Sequence, residues 1–147
     1  MIRIFLAGII QGSITGAIHP QDYRSRIKDV LAKHVPDADV YCPLEHHRDS
    51  LAYDDARGRD VFFGHVERVR ASDVLVAFLP EASMGTAVEM WEAHRKGLIV
   101  ISVTPMRDNW TVKFLSTRIF ADLDEFEHFV ASGELTRLIA TRKGRHG

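Results

Sequence analysis

Residues 72–97 read SDVLVAFLPEASMGTAVEMWEAHRKG, and this stretch parses as strand, short loop and helix. Asp73 opens an apolar run, Val74 to Leu79, which Pro80 closes. An unbroken run of this kind predicts a strand buried on both faces. Ser83, Met84, Gly85 and Thr86 then supply a capping hydroxyl and a close-approach glycine where a helix should begin, with Glu89 in its first turns. In an open α/β sheet, ligands sit at the carboxyl ends of strands and the amino ends of the following helices. Free amides there can hold an anion. The expectation is that Ser83 and Gly85 lie against a phosphate or sugar hydroxyl, and that Glu89 aims a carboxylate at a sugar carbon. A plainer role stands beside this one, because a glutamate early in a helix also complements the helix dipole. At about 100° per residue, Ala87, Val88, Met90 and Trp91 share one broad face, and Glu89 points nearly opposite with Gly85, Ala93 and Lys96. Periodicity alone therefore puts Glu89 in solvent. Gly85 and Ala93, one turn to either side, leave room over it for a substrate.

On the N-terminal side, Ile2 to Ala7 predicts a first strand ended by Gly8. The segment from Ile9 to His19, with Gly12, Ser13 and Gly16, is a glycine-bearing loop at that strand's carboxyl end. It matches neither a Walker motif nor a complete dinucleotide fingerprint. Pro20 to His34 predicts an amphipathic helix with Tyr23, Ile27, Val30 and Leu31 on one stripe. Asp39 to Cys42 is a short second strand, and Pro43 to Arg57 is a loop long enough to be functional or mobile. Its histidines and carboxylates lack any known metal-ligand spacing, so no metal is expected. The loop is a candidate lid over a bound ligand, with Tyr53 able to stack there. Arg57 to Ala71 predicts a helix whose inward stripe is Val61, Phe62, His65, Val66 and Val69. His65 among these residues is either a satisfied core histidine or a functional one.

On the C-terminal side, Leu98 to Val103 is a fourth buried strand, and Thr104 to Thr111 a loop carrying Asn109 and Trp110. A short helix over residues 112–116, a brief strand over 118–121 and a helix over 122–132 follow. The last of these has an aspartate cap and a glycine stop. Residues 134–141 predict one or two helical turns, and the basic tail 141–147 a frayed end. Strands and helices alternating five times predict an α/β, doubly wound, five-stranded parallel sheet.

An apolar strand opening Ser-Asp, then Ser-x-Gly-x-x-x-Glu, preceded by a strand running into Ala-Gly, resembles the nucleoside 2-deoxyribosyltransferase family. Its nucleotide N-glycosidase relatives, the 2'-deoxynucleoside 5'-phosphate N-hydrolases and CMP-type hydrolases, share the pattern. The likeness spans about residues 2 to 105. The resemblance implies a flavodoxin- or Rossmann-like strand order of 2-1-3-4-5 with helices on both faces. It makes Glu89 the nucleophile and Ser83 a phosphate contact, and it has Gly8, Gly12 and Ser13 surround the sugar. It also implies that the loop after the fourth strand, with Asn109 or Trp110, reaches into a neighbouring subunit's site, although Trp110 is read first as a packing anchor. Two departures stand out. Ile9 and Gln11 occupy positions where the deoxynucleotide hydrolases have serine and arginine, and His65 stands where the family has an aspartate contacting the base or sugar. Imidazole can hydrogen-bond a base nitrogen and, when protonated, donate to it.

The implied reaction is cleavage of the N-glycosidic bond of a nucleoside or nucleoside 5'-monophosphate, by hydrolysis or deoxyribosyl transfer, with no cofactor. The alternatives are a non-catalytic nucleotide-binding or sensing module on the same fold and an NAD-glycohydrolase-like enzyme. The chain has 147 residues, a net charge of −1, 46% hydrophobic and 27% charged residues, and one cysteine. These values suit a single domain over 1–147 that acts on a small molecule. They give no electrostatic footprint for nucleic acid or a membrane. No disulfide can form within the chain, and a cytoplasmic setting is expected. The apolar residues of the motif helix suggest a homodimer or larger homo-oligomer.

Overall fold

The protein's computed structural model describes residues 1–10 and 21–145. Five strands, β1 (Ile2–Gly8), β2 (Ala38–Tyr41), β3 (Val74–Phe78), β4 (Ile99–Val103) and β5 (Arg118–Phe120), pair in parallel in the order β2-β1-β3-β4-β5. The expected doubly wound fold and strand order are both present. The helices are α1 (Asp22–His34), α2 (Pro43–His46), α3 (Asp55–Arg70), α4 (Met84–Arg95), α5 (Trp110–Leu115), α6 (Leu123–Ala131) and α7 (Glu134–Arg145).

Alternation along the central strands divides the core into two layers. Ile4, Leu6, Val74 and Val76 project to one face and pack with Ile27 and Leu31 of α1, Phe126 of α6 and Leu135 of α7. Phe5, Ala7, Leu75 and Ala77 project to the other and pack with Val69 of α3, Met90 and Ala93 of α4, and Val112 of α5. Both faces being covered is the reason β3 reads as an unbroken apolar run and β1 and β4 as nearly so, with Arg3 and Ser102 the polar residues in them. The strand order reverses at β1 and β3, which pair from Ile4↔Val74 to Gly8↔Phe78. The strands that follow each of them lie on opposite sides of this pair, so their carboxyl ends open a crevice between β1 and β3.

Several expectations need correction. The long connection after β2 is largely folded: it contains α2 and a 3-10 turn over Ser50–Ala52. Helix α3 starts at Asp55, because the Asp54 side chain caps it by accepting from the Arg57 amide at 2.8 Å. The buried residues of α4 are Thr86, Met90, Ala93 and the ion-paired Glu92, whereas Val88 and Trp91 are 41% and 54% exposed. On α3 only Val69 is buried, and Phe62 is 46% exposed, since the amino-terminal half of this helix borders the crevice. Trp110 is 76% exposed, so within this chain it is no packing anchor. Helix α7 runs on to Arg145 without fraying at Thr141. It buries Leu135 and Ile139, and Arg142 donates to the Gly97 carbonyl at 2.6 Å.

Candidate functional site

The crevice is a cleft of about 420 Å³ lined by the end of β1 (Gly8, Ile10), the segment before α3 (Ser50, Tyr53), α3 itself (Gly58, Val61, Phe62, His65) and the start of α4 (Ser83 to Thr86, Glu89). Six of the sequence candidates, Gly8, Tyr53, His65, Ser83, Gly85 and Glu89, meet here. Gly12 and Ser13 lie outside the described residues.

Gly8 ends β1 against Tyr23 of α1. A Cβ added at Gly8 would stand 2.1 Å from the tyrosine hydroxyl, and the ring is itself stacked on Phe78 at 4.2 Å. Glycine is therefore the residue this contact admits. The amino end of α4 forms the opposite lip. Ser83 caps it: its Oγ accepts from the Thr86 amide at 3.3 Å and from the Thr86 hydroxyl at 3.0 Å. The serine oxygen is committed to the cap, while its own proton remains available to a ligand. The amides of the first turn have no partner within a helix. A Cβ added at Gly85 meets no atom within 4 Å, so this glycine leaves open space beside those amides.

Glu89 lies one turn on. The residue as a whole is half-buried, yet its Oε2 is sealed from solvent and has no hydrogen-bond partner among the described residues. Burial raises its pKa to about 8, against a smaller opposing pull from the Arg24 guanidinium. His65 faces the same cleft from α3, with its ring edge-on to Phe5, Tyr41 and His47. Its Nε2 is likewise buried without a partner among the described residues. Burial first, and then the charges of neighbouring His47 and Arg68, lower its pKa to about 4. At neutral pH the ring is the neutral imidazole, one nitrogen donating and the other accepting. The protonated donor considered from the sequence is thus disfavoured by the site's dryness. Glu89 Oε2 and His65 Nε2 are the buried side-chain polar atoms that stand unpartnered among the described residues, and both line one cleft.

Tyr53 closes the α3 side. Its hydroxyl lies 3.0 Å from His47 Nδ1, and the Arg57 guanidinium sits 3.9 Å over its ring. Asn109 is placed elsewhere. Its side chain caps α5, accepting from the Thr111 and Val112 amides at 3.0 and 3.4 Å, and it lines an adjoining apolar pocket with Ser83 and Met84.

Two groups escape sequence reasoning. Phe62 lines the cleft although its helical position reads as core. Arg24 is buried on α1 beside Tyr23, and the available signal is a cation on that helix's apolar stripe, one turn before Ile27.

No family model matches the sequence, and no curated protein matches it significantly. Among solved structures, a conserved protein from Enterococcus faecalis is similar at a TM-score of 0.66 and 24% identity, over 90% of this chain and 98% of that one. A 2-deoxyribosyltransferase from the psychrotolerant bacterium Bacillus psychrosaccharolyticus is similar at a TM-score of 0.65 and 18% identity, over 85% of this chain and 90% of that one. A CMP N-glycosidase from Clostridium botulinum gives a TM-score of 0.47 at 17% identity, over 86% of this chain and 95% of that one. The first two share this chain's fold.

Proposed function

We propose that this protein is an enzyme of the nucleoside 2-deoxyribosyltransferase type, cleaving the N-glycosidic bond of a nucleoside or nucleoside 5'-monophosphate. The observation that carries the reading is the pair of buried polar atoms, Glu89 Oε2 and His65 Nε2, that have no partner among the described residues and face one cleft. Native proteins pair nearly all such atoms, so two orphans in one cleft mark the places where a ligand supplies the partners. The fold shared with a 2-deoxyribosyltransferase supports the assignment.

In this reading the Glu89 carboxylate attacks the anomeric carbon through an oxocarbenium-like transition state. A C–O bond forms as the C–N bond breaks. The base leaves with the bonding electrons and takes up a proton from solvent, which the later attack of water on the ester returns, while His65 hydrogen-bonds it as neutral imidazole. Water then attacks the glycosyl ester and frees the sugar; a second base in its place gives transfer. Ser83 and the first-turn amides of α4 hold the sugar hydroxyl or phosphate. Phe62 and Tyr53 offer faces for the base. No cofactor enters the scheme.

A second reading is favoured by one observation: burial holds Glu89 protonated at neutral pH in the free protein. A neutral carboxyl is a good hydrogen-bond partner for a sugar and a poor nucleophile, as a non-catalytic nucleotide-binding module would require. One screen separates the two. Nucleosides, deoxynucleosides and their 5'-monophosphates are incubated with wild type and Glu89→Ala, with and without a second base, and free base is measured by chromatography. Base release lost in Glu89→Ala is the expected result. Binding of a nucleotide without release of base from any substrate would overturn the enzyme reading in favour of the binding module.

A further inference from the structure

The proposed chemistry makes no use of Arg24, a cation that is only 4% exposed. Its guanidinium donates to the Leu6 carbonyl at 3.2 Å, the Gly8 carbonyl at 3.4 Å, Cys42 Sγ at 3.6 Å and Gln21 Oε1. Gln21 in turn donates through Nε2 to the Ile9 carbonyl at 2.9 Å. The carbonyls of Leu6, Gly8 and Ile9, where β1 enters the cleft, are thus held from the start of α1. Every described acceptor of Arg24 is uncharged, and a buried cation is costly unless a charge nearby offsets it.

Gly8, whose carbonyl Arg24 holds, lines the same cleft as Glu89, and the Arg24 charge favours the ionised form of that carboxyl. The other titratable or charged groups around the cleft do not supply the same pull. Tyr23 of α1 is pushed up to about 12 and His65 of α3 down to about 4, so both are neutral near pH 7. Tyr41 of β2 is also raised by burial, and Arg68 of α3 lies over its ring. His47, before α3, is lowered by burial and by nearby cations and is bonded to Tyr53, while His46 stacks on Tyr41. On α4 itself, Glu92 is paired with Arg70 and Arg95.

The geometry points to Arg24 as a positioning residue for the proposed reaction: it fixes the carboxyl end of β1 against the cleft and supplies a positive charge there that eases the ionisation of Glu89 against the cost of its burial. This role rests on Glu89 being the nucleophile, but it can be read without turnover. The experiment follows the side-chain carboxyl resonance of Glu89 against pH in protein labelled with 13C-glutamate, assigned by its loss in Glu89→Gln. Wild type, Arg24→Lys, Arg24→Gln and Arg24→Met are compared, each checked for fold by near-ultraviolet circular dichroism.

Loss of the charge in Arg24→Met or Arg24→Gln should raise the Glu89 midpoint by about one unit or more, while Arg24→Lys should stay near wild type. Where base release is measurable, the acid limb of kcat/KM should move by the same amount. That is about a tenfold loss at pH 7, carried mainly by kcat rather than KM. An unmoved midpoint in a folded charge-removing variant overturns the role of Arg24. Should Arg24→Met fail to fold, the Lys and Gln pair decides. A midpoint that shifts as expected in a protein that releases no base from any substrate supports Arg24 and refutes the catalytic reading, so the two can fail separately.

Discussion

At Glu89 the fold keeps a carboxyl in a place where its charge is unwelcome, and this makes stability and reactivity pull against each other. The folded-state pKa is raised from 4.5 to about 8. Between those values the native chain binds more protons than the unfolded one, so stability falls as pH rises through the window, and the full cost is reached above about 8. Glu89→Gln should therefore melt higher than wild type near pH 9, and the difference should vanish near pH 4, as thermal unfolding at the two values would show. Equal melting temperatures at both would mean that the carboxyl is solvated after all. His65 acts with the opposite sign. Its value is lowered from 6.5 to about 4, so its contribution is complete above 6.5 and is lost as pH falls through about 4. Attack needs the carboxylate, so log kcat/KM should climb with unit slope and level off near pH 8. A profile flat from pH 6 to 9 would remove Glu89 ionisation from the rate equation. The sequence pattern names Glu89 as a candidate, yet its periodicity turns the side chain to solvent, whereas the structure seals Oε2 away from it. Val88 and Trp91 are apolar yet exposed, and a moment drawn through them rotates the helix's apparent inner face away from Thr86, Met90 and Ala93.

Elements explain why two glycines at one cleft answer differently to substitution. Gly8 closes β1 against a tyrosine ring that is already stacked, so Gly8→Ala drives a methyl into Tyr23. Overpacking of this kind costs about 1–3 kcal/mol, to be read as a lower denaturation midpoint at unchanged slope. Gly85 is on the first turn of α4 with open space beside it. Gly85→Ala should leave stability unchanged or raise it by up to about 1 kcal/mol. The same methyl stands beside the amides assigned to the ligand, so nucleoside affinity should fall; titration calorimetry of the variant, with unaltered affinity as the adverse outcome, checks this. The start of α4 is legible because a capping serine and the glycine both sit in the local sequence. The extent of α7 is not, because Arg142 reaches the Gly97 carbonyl across 45 residues, a contact no local signal announces. The segment before α3 reads as loop for a different reason: its helical turns are too short to show a period, and Tyr53 meets His47 and Arg57 through side chains that no periodic pattern records.

Across the whole molecule, strand order is readable because both sheet faces are covered and the central strands are apolar along nearly their whole length, Arg3 of β1 and Ser102 of β4 being the polar exceptions. That order alone delivers the ends of β1 and β3 to a common crevice. The outward surface of the α4–α5 layer is a different matter. Met84, Val88 and Trp91 follow one another at helical spacing along the exposed side of α4, and Trp110 and Phe114 lie exposed together on α5. Nothing in the sequence distinguishes this face from core, since apolar periodicity records that a side chain avoids water without recording what shields it. Clusters of exposed apolar side chains often mark interaction sites, and a homo-oligomer, as the apolar residues of the motif helix suggest, would account for these. A stable two-fold interface needs roughly 800 Å² from each partner, and the same patch must serve on both copies. Sedimentation equilibrium should accordingly give a mass of at least twice the 16.6 kDa chain. Trp91→Glu, which puts a charge in the middle of the stripe, should return the protein to monomer with its circular dichroism intact. Because Met84 lines both the cleft and the pocket containing Asn109, dissociation should also weaken nucleoside binding if the neighbouring subunit helps close the site. A wild-type monomer at micromolar concentration would leave the α4 stripe to some other partner and confine the cleft's chemistry to a single chain.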